Sequence, residues 1–128
     1  MSEEIGEIAI ILMSIRDQVK VFHWQTESYS KHKSSDALVS ALTNQMDLFI
    51  ETIQGTRGIR LKIPKSNNIV IDNQTNTSVL EVLETFKIWL TSSSGLLRYL
   101  MKNETDLLTI RDEMLQTVNQ TIYLFGLK

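Results

Sequence analysis

The sequence predicts an all-α fold, an antiparallel four-helix bundle forming a single domain over residues 1–128. Three observations predict it. Helix breakers are scarce, with Gly 5 and Pro 1 in the chain, and an apolar fraction of 42% supplies one sizeable core. Four segments carry apolar residues in steps of three and four, the period of an amphipathic helix. Between the second and third of these lies one aperiodic stretch, residues 55–76, which holds the only proline.

The first helix is expected over residues 3–25. Ile5, Ile8, Leu12, Ile15, Val19 and Phe22 form its stripe, and Ile10, Ile11 and Met13 add a second apolar surface. The second is expected over 32–54, with Leu38, Leu42, Met46, Phe49 and Ile53 facing the core and Gly55 closing it in a left-handed C-cap. Residues 55–76 then form a long connection in which Ile69, Val70 and Ile71 hint at a short extended piece. A connection of that length in a small bundle needs a structural reason, and crossing the length of the bundle supplies one. The third helix is expected over 78–101, opened by a capping box of Ser78 and Glu81. Its register runs from Val79 through Leu83, Phe86, Leu90, Ser93 and Leu97 to Leu100. It passes unbroken through Thr91–Gly95, where small residues admit a close neighbour. The fourth, over 104–125, starts near Asn103 or Thr105 and carries Leu107, Ile110, Met114, Val118, Ile122 and Phe125. Short first and third connections around a long middle one match the one-crossover topology of ferritin-like bundles.

Composition removes several function classes. The net charge is −2 with both signs interspersed, so no basic stripe is available for phosphates and DNA binding is disfavoured. Cys 0 removes disulfides, thiolate metal sites and cysteine nucleophiles together, leaving imidazole and carboxylate as the strong metal ligands. No apolar run is long enough for a membrane span and no signal segment opens the chain, so a soluble cytoplasmic domain is expected. Arg57, Arg60, Lys62 and Lys65 read as a solvated loop, and Trp89, Tyr99 and the methionines as packing residues.

The stretch His23–Glu51 carries both histidines and three carboxylates, Asp36, Asp47 and Glu51. An α-helix turns about 100° per residue, so Asp36 and Asp47 lie about 20° apart around the axis and Glu51 roughly 40° further on. His32 falls within about 100° of Glu51, which sets one helix face with His32, Asp36, Asp47 and Glu51. Singly, these residues have bland readings. His23-Trp24 can simply close a helix, His32 between two lysines can be solvated, and Asp47 and Glu51 repel mildly as neighbours on a wet face. The joint spacing is what points to a metal. An intrasubunit di-iron site built on Glu-x-x-His pairs is excluded, because the chain contains no Glu-x-x-His.

The same stretch resembles Dps proteins, the mini-ferritins of starved cells. In that family a His-Trp pair ends the first helix, and a second histidine follows, with aspartates at offsets four and fifteen and a glutamate at nineteen. Here the pair is His23-Trp24, and Asp36, Asp47 and Glu51 follow His32 at those offsets. The motifs HWQT, SKHKSSD and IQG are similar to short Dps-like proteins of unassigned function from large DNA viruses. The resemblance implies a ferroxidase centre shared by two subunits, in which His23, His32 and Asp36 face Asp47 and Glu51 of a second copy. It implies iron as the metal, di-iron or mono-iron, with zinc as a substitute, in a homodimer or a dodecameric shell. It places the protein in the cytoplasm of a host cell or in a virion. The chain departs from the family in a shorter spacing between its histidines, in lacking a small helix in the middle connection, and in lacking a lysine-rich tail. The alternative, from another class, is a non-enzymatic helical scaffold or virion-associated protein that keeps the fold without the chemistry.

Overall fold

The computed structural model describes residues 1–127 and is all-helical, with no strand among them. Its elements are α1 (Ser2–Gln25), α2 (Tyr29–Arg57), α3 (Asn76–Thr91), a 3₁₀ turn (Leu96–Tyr99) and α4 (Thr105–Phe125). Helix α1 packs chiefly on α2 and α2 on α4, while α3 makes smaller contacts with α1 and α4. The four helices thus surround one core in the order α1, α2, α4, α3. Each helix sends one phenylalanine into it, and Phe22, Phe49, Phe86 and Phe125 are all buried. Phe22 and Phe125 meet across the centre with ring centroids 5.4 Å apart.

The predicted stripes of α1 and α2 are buried, as are that of α3 as far as Leu90 and that of α4 except Ile122, which is half-buried. Beyond Leu90 the expected Ser93 is exposed and Leu97 and Leu100 are half-buried, and the helix ends differ from expectation for local reasons. Helix α2 starts at Tyr29 because Ser28 accepts the Lys31 N–H and caps it there. It runs through Gly55, which stays helical, and stops at Gly58, whose φ of 66° is the left-handed conformation expected of a C-cap. The capping box of α3 is formed by Thr75 and Ser78, not by Ser78 and Glu81. The expected third helix over 78–101 ends early, at Thr91. Ser92 and Ser94 bond to each other and Gly95 folds back onto Trp89, where a Cβ would stand 2.4 Å from the Trp89 carbonyl oxygen. The small residues therefore serve a reversal within the chain, and Leu96 continues the core from the 3₁₀ turn.

The connection between α2 and α3 lies against the start of α1. Gly6 makes room for it, since a Cβ there would stand 2.1 Å from the Lys62 carbonyl oxygen. The Lys62 N–H donates to the Ser2 carbonyl at 3.1 Å. Farther on, Gln74 is buried and takes the Gln25 side-chain oxygen on its N–H at 2.7 Å.

Two polar ties hold the link between α3 and α4. Tyr99 donates its hydroxyl to Glu7 at 2.8 Å, and burial followed by that hydrogen bond raises its phenol above the ordinary value. Arg57 donates to Glu104 at 2.8 Å and to the Tyr99 carbonyl at 2.9 Å, and both members of the ion pair are buried or nearly so. Burial pushes the Glu104 carboxyl up, but the Arg57 guanidinium and the Met101 N–H outweigh it and hold the group below the usual 4.5. A lowered folded value means stability that is complete above the unfolded value and is lost as pH falls through the folded one. Arg57→Ala is therefore expected to cost about 3–5 kcal/mol at neutral pH, because it strands a buried carboxylate. Urea unfolding at neutral and acid pH checks this, and the penalty should shrink once Glu104 is protonated.

Candidate metal centre

The hairpin between α1 and α2 is short, so the end of one helix touches the start of the next. Thr26 ends α1 in an extended conformation with its N–H on the Phe22 carbonyl, and Ser28 opens α2 two residues later. That reversal stacks His23 on His32, with ring centroids 3.9 Å apart and planes inclined by 17°. Each ring then bonds to the other residue's backbone. His23 Nδ1 lies 2.8 Å from the His32 carbonyl oxygen, and His32 Nδ1 lies 2.9 Å from the His23 carbonyl oxygen.

A carbonyl oxygen only accepts, so each Nδ1 must carry the proton. In the neutral ring each Nε2 is then a lone pair, with no hydrogen-bond partner among the described residues. His23 as a whole is buried, at 8% exposure. Asp36 Oδ1 lies 3.9 Å from the His23 Nε2. Histidines that hold metals donate their other ring N–H to a carbonyl or carboxylate in this manner, which sets tautomer and orientation.

The stacking limits what the pair can coordinate. An imidazole lone pair lies in its ring plane, and two planes inclined by 17° do not meet near the rings. The two Nε2 atoms therefore cannot bind one ion at the usual ~2.1 Å without unstacking. One ion per ring, or one ion on one ring, is the geometry available.

Asp36, Asp47 and Glu51 are exposed on the face of α2 turned away from Leu38, Leu42, Met46, Phe49 and Ile53. Eleven residues of helix separate Asp36 from Asp47, about 16 Å along the axis. The structure thus brings His23, His32 and Asp36 together and leaves Asp47 and Glu51 apart from them in the same chain. Neither Asp47 nor Glu51 joins an ion pair among the described residues. Among those residues no three His, Asp or Glu side chains form a group that would hold a metal ion.

One contributor escaped the sequence reading. Ser35 is fully buried, donates to the His32 carbonyl at 3.1 Å and stands 3.3 Å from His23 Nδ1. Its position three residues before Leu38, on the buried stripe, was the available signal. Trp24 is 69% exposed in the single chain, with the Lys20 ammonium 5.5 Å from its ring centre.

A family model matches residues 23–125, from the first histidine of the stacked pair to the last core phenylalanine. The chain belongs to DUF5856, a family of unknown function. No curated protein and no solved structure matches it significantly. The DUF5856 match covers all five residues singled out from the sequence, together with Ser35. In this DUF5856 chain both rings are expected to be Nδ1–H tautomers at neutral pH. Long-range nitrogen–proton NMR of the two imidazoles reads this directly, and an Nε2–H signal from either ring would contradict the assignment.

Proposed function

We propose that the chain is a Dps-like, ferritin-like iron-binding protein that oxidises ferrous iron at a centre shared between two copies. On this reading the bundle is antiparallel, with the α2–α3 connection as its crossover. The observation that carries the proposal is the pair of reciprocal Nδ1–carbonyl bonds, which leave the Nε2 of each neutral imidazole without a hydrogen-bond partner, one of them 3.9 Å from a carboxylate. Imidazole and carboxylate donors with open positions suit ferrous iron and need no thiolate. Zinc would take the same donors as a redox-inert substitute.

The register of α2 supports sharing between copies. A two-fold axis crossing α2 between Ala41 and Leu42 sets His32 opposite Glu51 of the partner subunit, and Asp36 opposite Asp47 of the partner subunit. Both pairs are centred on the same point, so one axis serves both. The outward side chains near that point are Ser40, Thr43 and Asn44, short enough for two helices to approach. The same symmetry brings the basic start of α2, Lys31 and Lys33, towards the partner's acidic half. Each copy would then supply one half of two equivalent centres.

Within such a centre the stacked rings present one nitrogen to each of two ions, and the carboxylates of both copies balance their charge. Each ferrous ion gives up one electron to peroxide or dioxygen, and the ferric product is stored where copies close into a shell. The protein supplies placement and negative charge; the redox capacity belongs to the iron.

Asp47→Ala and Glu51→Ala are each expected to abolish accelerated oxidation of ferrous iron while leaving helical content unchanged, as read by absorbance and circular dichroism. Unaltered oxidation in both variants would remove the metal reading and leave the non-enzymatic helical scaffold. A mixing experiment tests the sharing itself. A dimer of a His32→Ala chain with a Glu51→Ala chain retains one intact centre, because both lesions fall in the other. Refolding equal amounts together should restore about a quarter of the wild-type rate, given random pairing and two centres per dimer. A centre contained in one chain would show no recovery.

A further inference from the structure

The connection between α2 and α3 contains a segment whose main chain has no partner. Asn68–Asn73 is neither helix nor turn, and its centre is Ile69-Val70-Ile71. Among the described residues the main-chain groups of these three make no hydrogen bond within the chain. Their side chains are 41%, 57% and 58% exposed, the only three consecutive large aliphatics so exposed. All three are β-branched, the type that favours extended backbone. The segment is tied down on both sides. Lys62 bonds to Ser2 before it, and after it Gln25 takes both the Asn73 side chain at 2.9 Å and the Gln74 N–H at 2.7 Å.

A β-branched run that is neither helix nor turn, with its main-chain donors and acceptors unpaired within the chain, can offer an edge to another strand. We propose that a second copy of this chain fills it, pairing residues 68–72 antiparallel with themselves about Val70. The sequence is self-complementary in that register. Val70 opposes Val70, Ile69 opposes Ile71 twice, and Asn68 opposes Asp72 twice. Side chains alternate between the faces of a strand, so one face gathers four isoleucines. The other face sets the valine pair between two Asn–Asp pairs, in which an amide N–H donates to a carboxylate. Parallel pairing in register would instead set Asp72 against Asp72, and like charges directly opposed are unfavourable. Antiparallel self-pairing is the arrangement in which each apolar side chain meets an apolar one and each acceptor a donor.

This contact uses neither the histidines nor the outward face of α2, so it stands apart from the iron reading. The absence of cysteine makes its test direct. Opposed residues of an antiparallel pair have Cα atoms about 4.5–5.5 Å apart, within disulfide range. Val70→Cys is therefore expected to give a disulfide-linked dimer under mild oxidation roughly tenfold faster than Ile88→Cys, because pairing raises the local thiol concentration. Ile88 is a suitable control, being 65% exposed on α3. Adding Ile71→Lys to Val70→Cys should return the rate to that of the control, with circular dichroism confirming that the helices persist. Equal rates for Val70→Cys and Ile88→Cys would overturn self-pairing and point to a strand from a different protein. A rate that Ile71→Lys leaves unchanged would overturn the antiparallel register about Val70.

Discussion

The reciprocal bonds between His23 and His32 are the constraint on which the rest of the candidate site depends. The His23 carbonyl belongs to the last turn of α1, where carbonyls have no intrahelical partner, and the His32 ring satisfies it. The His23 ring answers by bonding the His32 carbonyl, with Ser35 beside it. One pair of bonds thus closes a hairpin, stacks two rings and fixes both tautomers. Hairpin closure by itself uses only the Nδ1 atoms. It does not require both Nε2 atoms to be free, nor a carboxylate 3.9 Å from one of them. That surplus is what the proposed metal centre would use.

Helix α2 acts as the beam that carries the rest. It is the longest helix, and it packs against α1 on one side and α4 on the other. Its buried residues commit one face to the core, so whatever stands opposite must meet solvent or another molecule. Asp47 and Glu51 stand there with no cation supplied by their own chain. Two carboxylates one turn apart cost a little as neighbours. Within the fold nothing offsets that cost, which is why their role has to be sought outside the single chain.

Much of the fold was legible because helical burial repeats in steps of three and four. The stripes of α1 and α2 follow that period from Ile5 to Phe22 and Leu38 to Ile53, and α4 follows it from Leu107 to Val118 before Thr121 takes the buried place expected for Ile122. The end of α3 was not legible for the same reason. Leu96 and Leu97 keep the apolar spacing, and the period alone cannot tell a continuing helix from a turn that returns to the same core. What decides it is the close approach of Gly95 to Trp89, a contact set by tertiary structure. The same holds at the other end of α2, where Gly55 and Gly58 both suit a C-cap and only the second adopts a positive φ. In the candidate site, helix geometry placed the carboxylates on α2. It could not place His23, because the path of a three-residue connector is not periodic. The stacking, the tautomers and Ser35 emerge only once that connector is seen in three dimensions.

The two contacts proposed for this chain have different consequences for assembly, and together they limit what it can build. A two-fold contact through α2 joins two copies and stops, since each surface is used once. On the proposed reading it would complete two iron centres and, by itself, recruit no third chain. A second two-fold contact, through residues 68–72, would lie on a different part of the surface and link one such dimer to the next. Whether the chain of contacts closes depends on the angle between the two axes. That angle is set by the path of the α2–α3 connection across α1, where the absence of a side chain at Gly6 lets the connection lie close. With both proposed contacts in place, the chain would keep its chemistry and its growth on separate surfaces. Substitutions in the connection can therefore alter assembly without touching the ligands, and those in the α2 face can alter chemistry without touching the strand.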